Sequence, residues 1–257
     1  MSLEGRIAWV TGAGTGIGNA AAGELAQAGA TVIVSGRRKD VLEAAVKAIV
    51  AAGGKAEALA MDATDKTAVA KAGADLIARH GRVDILVNSA GTNVARRFLK
   101  DLVPDDWDKV VAINLNGAFY CVAAVLPAMR AKKDGLVINI ASWFARWPGY
   151  VGGAAYNASK QAMVTMTHQI NIEEGLNGIR GTCIYPGEVA TPLLKARPIP
   201  PSQAAVDTML RPEDLGRAVR FVAESPKHVC INDLVITPTW NRLILGDSDI
   251  KLAPDRA

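Results

Sequence analysis

Cysteine and histidine are both scarce in this chain of 257 residues, which argues against two kinds of stabilising site. The three cysteines form an odd and scattered set, so a framework of structural disulfides is not expected. The three histidines lie far apart, and none joins a cysteine or a carboxylate at metal-ligand spacing, so we expect no metal site. The residues concerned are Cys121, Cys183, Cys230, His80, His168 and His228.

Targeting and membrane-spanning segments are not expected either. Residues 1–6 run into an apolar strand pattern without the basic, apolar and small-residue succession of a signal peptide, which predicts a cytoplasmic protein. A membrane-spanning helix needs an apolar run of about 18 residues, and we predict none. The net charge of +4 comes from basic residues dispersed among acidic ones, so nucleic acid is not an expected partner.

Small and aliphatic residues are abundant instead: apolar residues make up 50% of the chain, but aromatics only 5%. Short apolar strands alternate with longer helical patterns. This alternation predicts an α/β protein, a single-domain Rossmann-type doubly wound parallel seven-stranded sheet with helices on both faces, over residues 1–257. The predicted strands are 6–10, 31–35, 55–61, 83–87, 136–140, 179–184 and 234–237, and the predicted helices are 17–28, 39–52, 66–80, 104–131, 154–175 and 212–224.

Tyr156 and Lys160 lie four residues apart in a predicted helix, and Ser142 ends an apolar strand upstream. A phenol titrates near pKa ~10, so its use as a proton shuttle near neutrality needs about 3 to 4 kcal/mol of selective phenolate stabilisation. An ammonium one helical turn away can supply much of it. Taken alone, the spacing arises readily by chance, and the alternative is an exposed helix face on which the lysine stem packs along the tyrosine ring.

A glycine-rich segment, Thr11-Gly-Ala-Gly-Thr-Gly-Ile-Gly18, follows the first predicted strand and opens the first helix. The missing side chains let the backbone approach a pyrophosphate, and the helix start offers free N–H groups and a positive dipole end. In this strand–loop–helix context the segment predicts a dinucleotide site, the alternative being a glycine turn that serves packing alone.

The spacing Gly-x-x-x-Gly-x-Gly, together with Ser142, Tyr156 and Lys160, resembles the short-chain dehydrogenase/reductase family in its single-domain form, from residue 5 to about residue 238. Asn88-Ser-Ala-Gly91 departs mildly from the family's usual Asn-Asn-Ala-Gly. The positions expected to bind the cofactor are Gly12, Thr15, Gly16, Ile17, Gly18, Arg37, Arg38, Asp62, Ala63, Asn88, Ala90, Gly91, Tyr156, Lys160, Pro186, Gly187, Val189 and Thr191. The resemblance implies that Asp62 bonds the adenine and that Thr191 holds the nicotinamide carboxamide.

The resemblance also implies roles in catalysis for four residues. Tyr156 would exchange a proton with a carbonyl oxygen during hydride transfer, and Ser142 would hold that oxygen. Lys160 would depress the pKa of the phenol and bind the nicotinamide ribose, and Asn114 would position a water that links Lys160 to solvent. The expected activity is an NAD(P)-dependent oxidoreductase that interconverts a secondary alcohol and a ketone or aldehyde.

Two other functions remain open on the same fold. A dinucleotide-sensing regulatory protein would bind the cofactor without turnover, although it has no chemical need for all four groups. A nucleotide-sugar epimerase or dehydratase also uses Tyr-x-x-x-Lys, but only about 20 residues follow the last predicted strand, which leaves no room for a carboxyl-terminal substrate domain.

The end of the second strand bears on the choice of dinucleotide. An acidic residue there would bridge the ribose hydroxyls of NAD and repel a 2′-phosphate. This chain has Ser35-Gly36-Arg37-Arg38, with no carboxylate and two guanidiniums that can make charge-assisted contacts. NADP(H) is therefore favoured, and NAD(H) remains possible if both arginines point into solvent.

Two stretches interrupt the alternation where ligands bind in open α/β sheets, 143–153 and the proline-rich 188–211, which we predict to be a substrate lid. Candidate substrate residues are Trp143, Arg146, Trp147 and Glu188. A guanidinium at 146 could bind an anionic group or pair with an acid such as Glu188, which could instead recognise a cationic or hydroxylated substrate.

The same family resemblance implies an assembly. The long helix 104–131 and the helix 154–175 commonly form a four-helix contact between subunits, so a homotetramer, or else a homodimer, is expected. Residues 239–257 form a C-terminal tail whose end is expected to be frayed, and its apolar segment 243–245 could pack on a neighbouring subunit.

Overall fold

The computed structural model describes residues 2–245, and seven parallel strands form one sheet in the order β3-β2-β1-β4-β5-β6-β7. The strands are β1 Ile7–Thr11, β2 Thr31–Gly36, β3 Lys55–Ala60, β4 Ile85–Asn88, β5 Gly135–Ile140, β6 Ile179–Pro186 and β7 Asp233–Ile236. The direction of winding reverses between β1 and β4, so the carboxyl ends of these two strands flank the crevice in which such sheets bind ligands. The predicted seven-stranded parallel sheet is confirmed.

Helices cover both faces of the sheet, as predicted. The α-helices are α1 Gly16–Gln27, α2 Lys39–Ala51, α3 Lys66–His80, α4 Pro104–Val111, α5 Gly117–Lys132, α6 Ala154–Glu174, α7 Gln203–Asp207, α8 Pro212–Ala223 and α9 Arg242–Leu245. Because side chains alternate along a strand, Ala8 and Val10 of β1 enter one core layer with α1, α2 and α8. Ile7 and Trp9 enter the other, with α3, α5 and α6.

The long predicted helix 104–131 is interrupted, contrary to expectation. After α4 the backbone widens into a π-helical turn over Ala112–Asn116 before α5 continues. Sequence periodicity does not reveal such a turn, because it inserts a single residue into an otherwise regular helix. It carries Asn114, which is fully buried. The other predicted boundaries differ from the observed ones by one or two residues, as is usual at frayed ends.

The prediction that the chain contains no apolar stretch long enough to span a membrane is wrong. The helical stretch Pro104–Lys132 is long and apolar enough to cross a membrane by length and composition alone, because an 18-residue window within it has a mean hydropathy of 1.7. A core helix passes the same test, and here Val122, Val125 and Met129 are buried in the layer between the sheet and α3.

The predicted lid 188–211 folds as two short helices, the 3₁₀ turn Pro192–Ala196 and α7. A bridge between Val189 and Leu210 closes the segment at its base. After β7 the chain turns into α9, and the remainder of the predicted tail, 246–257, lies outside the described residues.

Candidate active site

A cavity of about 490 Å³ lies at the carboxyl ends of the central strands, where the reversal of winding predicts a ligand site. The glycine-rich loop and Arg37 border it at one end, and Ser142, Tyr156 and Lys160 border it further along. Groups that the sequence separates by more than 140 residues therefore share one continuous space.

Two glycines of the loop have no room for a side chain. A Cβ at Gly12, whose φ is +64°, would lie 2.7 Å from the Cα of Ala90, and one at Gly18 would lie 2.6 Å from the carbonyl oxygen of Gly12. Thr15, the residue before α1, makes no side-chain hydrogen bond to the helix start. The first N–H groups of α1 are thus left for a ligand, and the loop fits a pyrophosphate.

The loop after β4 is tied to the end of β1 beneath this cavity. The Oγ1 of Thr11 accepts hydrogen bonds from the backbone N–H groups of Ser89 and Ala90, both at 3.2 Å. The Nδ2 of Asn88 donates to the Oδ1 of Asn139 on the neighbouring strand at 2.9 Å. Asn88 therefore supports the floor of the cleft from below and does not line it.

Two arginines lie at the end of β2, where the sequence has no carboxylate and therefore favours NADP(H) over NAD(H). Arg37 and Arg38 both line the cavity and are exposed. Neither forms an ion pair with a carboxylate within residues 2–245, so both guanidiniums are available to an anionic group of a ligand. Asp62, across the cleft, accepts hydrogen bonds from the N–H and hydroxyl of Thr64, each at 2.9 Å.

α6 carries the proposed acid/base pair into the cavity. Lys160 is buried, its Nζ donates to the carbonyl oxygen of Ile140 at 2.7 Å, and it lies 5.9 Å from the centre of the Tyr156 ring. Ser142 follows β5, and its Oγ accepts a hydrogen bond from the N–H of Phe144 at 3.1 Å. The strand and the helix thus bring a hydroxyl, a phenol and an ammonium to one wall.

Asn114 lies behind this wall and does not line the cavity. Its Oδ1 accepts from the N–H of Thr92 at 2.8 Å, and its Nδ2 donates to the Thr92 carbonyl oxygen at 3.1 Å and to the Oγ of Ser159 at 3.1 Å. The Ser159 hydroxyl in turn donates to the carbonyl oxygen of Tyr156 at 2.9 Å. Asn114 therefore connects the loop after β4 to the first turns of α6.

Burial raises the pKa of the Tyr156 phenol, whereas the hydrogen bond with Ser142 and the charges of Arg197 and Arg97 lower it. The Nζ of Lys160 lies 5.9 Å from the centre of the Tyr156 ring, and the effect of its ammonium on the pKa of the phenol stays a prediction. Burial also lowers the pKa of Lys160 from its usual 10.5 to about 8.

Sequence reasoning missed both of these arginines. Arg97 lies in the loop after β4, and Arg197 lies at the end of the lid turn, and neither belongs to a motif. Only the fold brings them to the cavity that Tyr156 lines.

Most residues predicted to bind the cofactor line the cavity; Gly18 and Asn88 do not. The lining positions are Gly12, Thr15, Gly16, Ile17, Arg37, Arg38, Asp62, Ala63, Ala90, Gly91, Tyr156, Lys160, Pro186, Gly187, Val189 and Thr191. Gly16 has a φ of +58°, and a Cβ there would lie 3.3 Å from the Cγ2 of Thr191, so these two positions are close neighbours.

The four predicted substrate residues divide into two groups. Trp143 and Glu188 line the cavity, whereas Arg146 and Trp147 do not. Arg146 is exposed and lies over the ring of Trp147, 5.2 Å from its centre, and that ring stacks on Trp143. Arg146 does not pair with Glu188, which binds Arg197 and Arg242 instead.

α9 reaches the same cavity. Leu243 lines it, and Arg242 contacts Glu188 through Nε at 2.5 Å and Nη2 at 2.9 Å. The predicted packing of 243–245 on a neighbouring subunit stays a prediction; within its own chain, Leu243 borders the cavity and Ile244 is exposed.

Comparison with known proteins matches the family described as short chain dehydrogenase over residues 6–199. The chain is 33% identical to an uncharacterized oxidoreductase of Staphylococcus aureus over 236 residues, covering 92% of this chain and 98% of the relative. It is 32% identical to a 3-oxoacyl-[acyl-carrier-protein] reductase of Thermotoga maritima over 228 residues, covering 87% of this chain and 92% of the relative.

Solved structures give the same result. A metagenomic short-chain oxidoreductase in complex with NADP superposes with a TM-score of 0.81 at 33% identity, covering 93% of this chain and 99% of that one. A 3-ketoacyl-(acyl-carrier-protein) reductase from Brucella melitensis complexed with NADH superposes with a TM-score of 0.83 at 29% identity, covering 92% of this chain and 98% of that one. With its glycine loop, sheet order and shared wall of hydroxyl, phenol and ammonium, this chain is an oxidoreductase of the short-chain dehydrogenase/reductase family.

Proposed function

We propose that the protein is an NADP(H)-preferring oxidoreductase that interconverts a secondary alcohol and a ketone or aldehyde. The observation that carries the proposal is the shared wall on which Ser142, Tyr156 and Lys160 face one cavity with the glycine loop. Asn114 supports that wall from behind. Gly12, Gly16 and the free start of α1 would hold the pyrophosphate of the dinucleotide, which supplies or accepts the hydride when bound.

The protein's own groups would handle the oxygen and its proton. Ser142 would donate a hydrogen bond to the carbonyl oxygen, and Tyr156 would give that oxygen a proton in reduction and take it back in oxidation. Lys160, at a pKa of about 8, would bind the ribose hydroxyls and help to restore the proton of Tyr156. Trp143 and Phe144 would exclude water from one side of the reacting carbon.

A substrate screen tests this proposal against a dinucleotide sensor. NADPH and NADH are each incubated with a panel of ketones and aldehydes, and NADP⁺ and NAD⁺ with the corresponding alcohols, while absorbance of the reduced nicotinamide is followed. We expect turnover with at least one pair and a higher kcat/KM with NADPH. Cofactor binding without turnover on any compound would favour the sensor.

Arg37 and Arg38 are expected to select the 2′-phosphate of NADP. In the double variant Arg37→Gln/Arg38→Gln, kcat/KM for NADPH should fall by roughly 10- to 100-fold, because two charge-assisted contacts are lost, while the value for NADH changes little. Lys39→Gln is the matched control, since Lys39 is exposed, pairs with Glu43 and does not line the cavity. Equal losses with both dinucleotides would remove these arginines from cofactor choice.

The NADP complex of the metagenomic relative supports this preference. The NADH complex of the Brucella melitensis enzyme keeps NAD(H) as the alternative.

We also propose a cytoplasmic location.

A homotetramer, or else a homodimer, is proposed as the assembly. Large apolar side chains are exposed on α4, α5 and α6, among them Trp107, Phe119 (52% exposed) and Ile172 (75% exposed). Light scattering after size exclusion should give about four, or two, times the chain mass of 27.0 kDa. Phe119→Asp should lower that mass, whereas Leu99→Asp, at a loop residue that is 81% exposed, should not. A wild-type monomer would contradict the prediction.

A further inference from the structure

Arg97 is a buried cation that no carboxylate neutralises among residues 2–245. The residue is 3% exposed, and it forms no ion pair within that part of the chain. Its Nε donates to the carbonyl oxygen of Val94 at 2.8 Å, its Nη1 to that of Val151 at 2.9 Å, and its Nη2 to that of Ala196. The guanidinium is thus fixed by carbonyl groups from three separate segments.

Three backbone carbonyls do not complete the hydrogen bonding of this group. A guanidinium has five N–H groups, so each terminal nitrogen of Arg97 keeps one N–H without an acceptor in the described part of the chain. Burial and the neighbouring charge of Arg197 lower the pKa of Arg97 to about 10, which still leaves it protonated at neutral pH. An unneutralised buried charge is costly, and an anionic ligand would offset that cost.

The surroundings of Arg97 are positive. Glu188 is the nearby buried carboxylate, but both of its oxygens already accept hydrogen bonds from Arg242, and its Oε1 also accepts one from Arg197 at 2.7 Å. Arg97 and Arg197 line the same cavity as Ser142 and Tyr156, and the charges of both influence the phenol of Tyr156. An anion between them would therefore be close to the carbonyl that Tyr156 protonates.

We propose that Arg97, together with Arg197, binds a carboxylate of the substrate, and that the enzyme acts on oxo acids and the corresponding hydroxy acids. This inference rests on the proposed function. In reduction, the carbonyl carbon accepts a hydride with its two electrons from the reduced dinucleotide, the carbonyl oxygen accepts the Tyr156 proton, and the carboxylate is unchanged. A planar guanidinium fork suits a carboxylate, which it binds through two parallel hydrogen bonds.

The carboxylate would lie within a few bonds of the carbonyl, since the charges of both guanidiniums act on the Tyr156 phenol and all three groups border the same cavity. The aromatic side chains of Trp143 and Phe144 would then cover the short carbon chain between the two polar groups. The competing explanation is that Arg97 acts only as a clasp that joins the lid to the two loops whose carbonyls it contacts.

Matched pairs of acids and esters separate these explanations. The probes are acetoacetate, levulinate and 2-oxobutanoate, each with its methyl ester, assayed for NADPH oxidation. For at least one pair we expect the kcat/KM of the acid to exceed that of the ester by about 100-fold, because the ester lacks the charge that the guanidiniums bind. In Arg97→Gln and in Arg197→Gln the kcat/KM for the acid should fall by about 30-fold or more, mainly because KM rises. The kcat/KM for the ester should change by less than about 3-fold.

Arg96→Gln is the control, because Arg96 is the neighbouring residue but is exposed, pairs with Asp106 and does not line the cavity. This variant should have the wild-type kcat/KM for both the acid and the ester of each pair. If Arg97→Gln does not fold, as judged by its melting curve, the wild-type acid/ester ratios and Arg197→Gln decide the question.

Three results would overturn the inference. The first is a kcat/KM for every ester equal to that for its acid, and the second is an equal loss of kcat/KM for acid and ester in both variants. The third is a higher kcat/KM for dihydroxyacetone phosphate than for every acid. If no carbonyl compound is turned over, the proposed function fails, and the anion site is tested separately. In that case, a rise in melting temperature with levulinate that is present in the wild type and absent in Arg197→Gln supports the site, and no rise in the wild type overturns it.

Discussion

Replacement of Tyr156 by phenylalanine is expected to lower kcat by roughly 10³-fold or more, because the variant has no proton to give to the carbonyl oxygen. The ring should keep its place, since Tyr156 packs against Val94, Val110 and Ala155 through its carbon atoms. The dissociation constant of NADPH, measured by fluorescence, should therefore change by less than about 3-fold. Steady-state NADPH oxidation with the best carbonyl substrate measures the loss.

Tyr150→Phe is the matched control for this variant. Tyr150 is 43% exposed, stacks on Phe98 with ring centres 4.2 Å apart, and does not line the cavity. It should retain nearly full activity. A Tyr156→Phe enzyme with more than about a tenth of the wild-type kcat would show that another group supplies the proton.

The stability of the protein should rise with pH between about 8 and 10 because of Lys160. Below pH 8 this lysine is protonated in both the folded and the unfolded chain, so folding carries the full cost of burying an ammonium. Between the folded pKa of about 8 and the usual 10.5, the folded protein has lost a proton that the unfolded chain keeps. The free energy of unfolding therefore increases with pH over this interval, by about 3 kcal/mol if the shift is fully expressed.

The comparison with Lys160→Met isolates this contribution, because methionine fills similar space without a charge. Urea unfolding at fixed protein concentration is measured for both proteins at pH 7, 8, 9 and 10. The free energy of the wild type minus that of the variant should increase with pH. Lys71→Met, at an exposed lysine paired with Asp75, should show no such trend. A difference for Lys160→Met that does not change with pH would contradict the lowered pKa.

The fold and the reacting groups were predictable from local patterns. The alternation of strand and helix patterns is enough to predict the parallel sheet. The loop from Gly12 to Gly18 is recognisable because phosphate binding requires glycine at fixed spacing after a strand. Tyr156 and Lys160 are four residues apart on one helix, so their proximity follows from helical geometry alone.

The charges that line the proposed substrate end of the cavity were not predictable, because they depend on contacts between distant segments. The guanidinium of Arg97 is held by the backbone carbonyls of residues 94, 151 and 196, and Glu188 pairs with Arg242, which is 54 residues away. The sequence favoured Arg146 because it lies only four residues after Ser142, but the structure places it on the surface beside Trp147. Proximity in the chain is a poor guide where loops from several strands converge.

The transfer of a hydride to a carbonyl carbon is the central claim, and isotope transfer tests it directly. NADPH that carries deuterium at C4 of the nicotinamide, on each face in turn, is incubated with the protein and the best carbonyl substrate, and the product is analysed by mass spectrometry and NMR. One of the two labelled cofactors should place a single deuterium on the carbinol carbon of the alcohol. An alcohol product without deuterium from either cofactor, or no product with any carbonyl compound, would contradict the account.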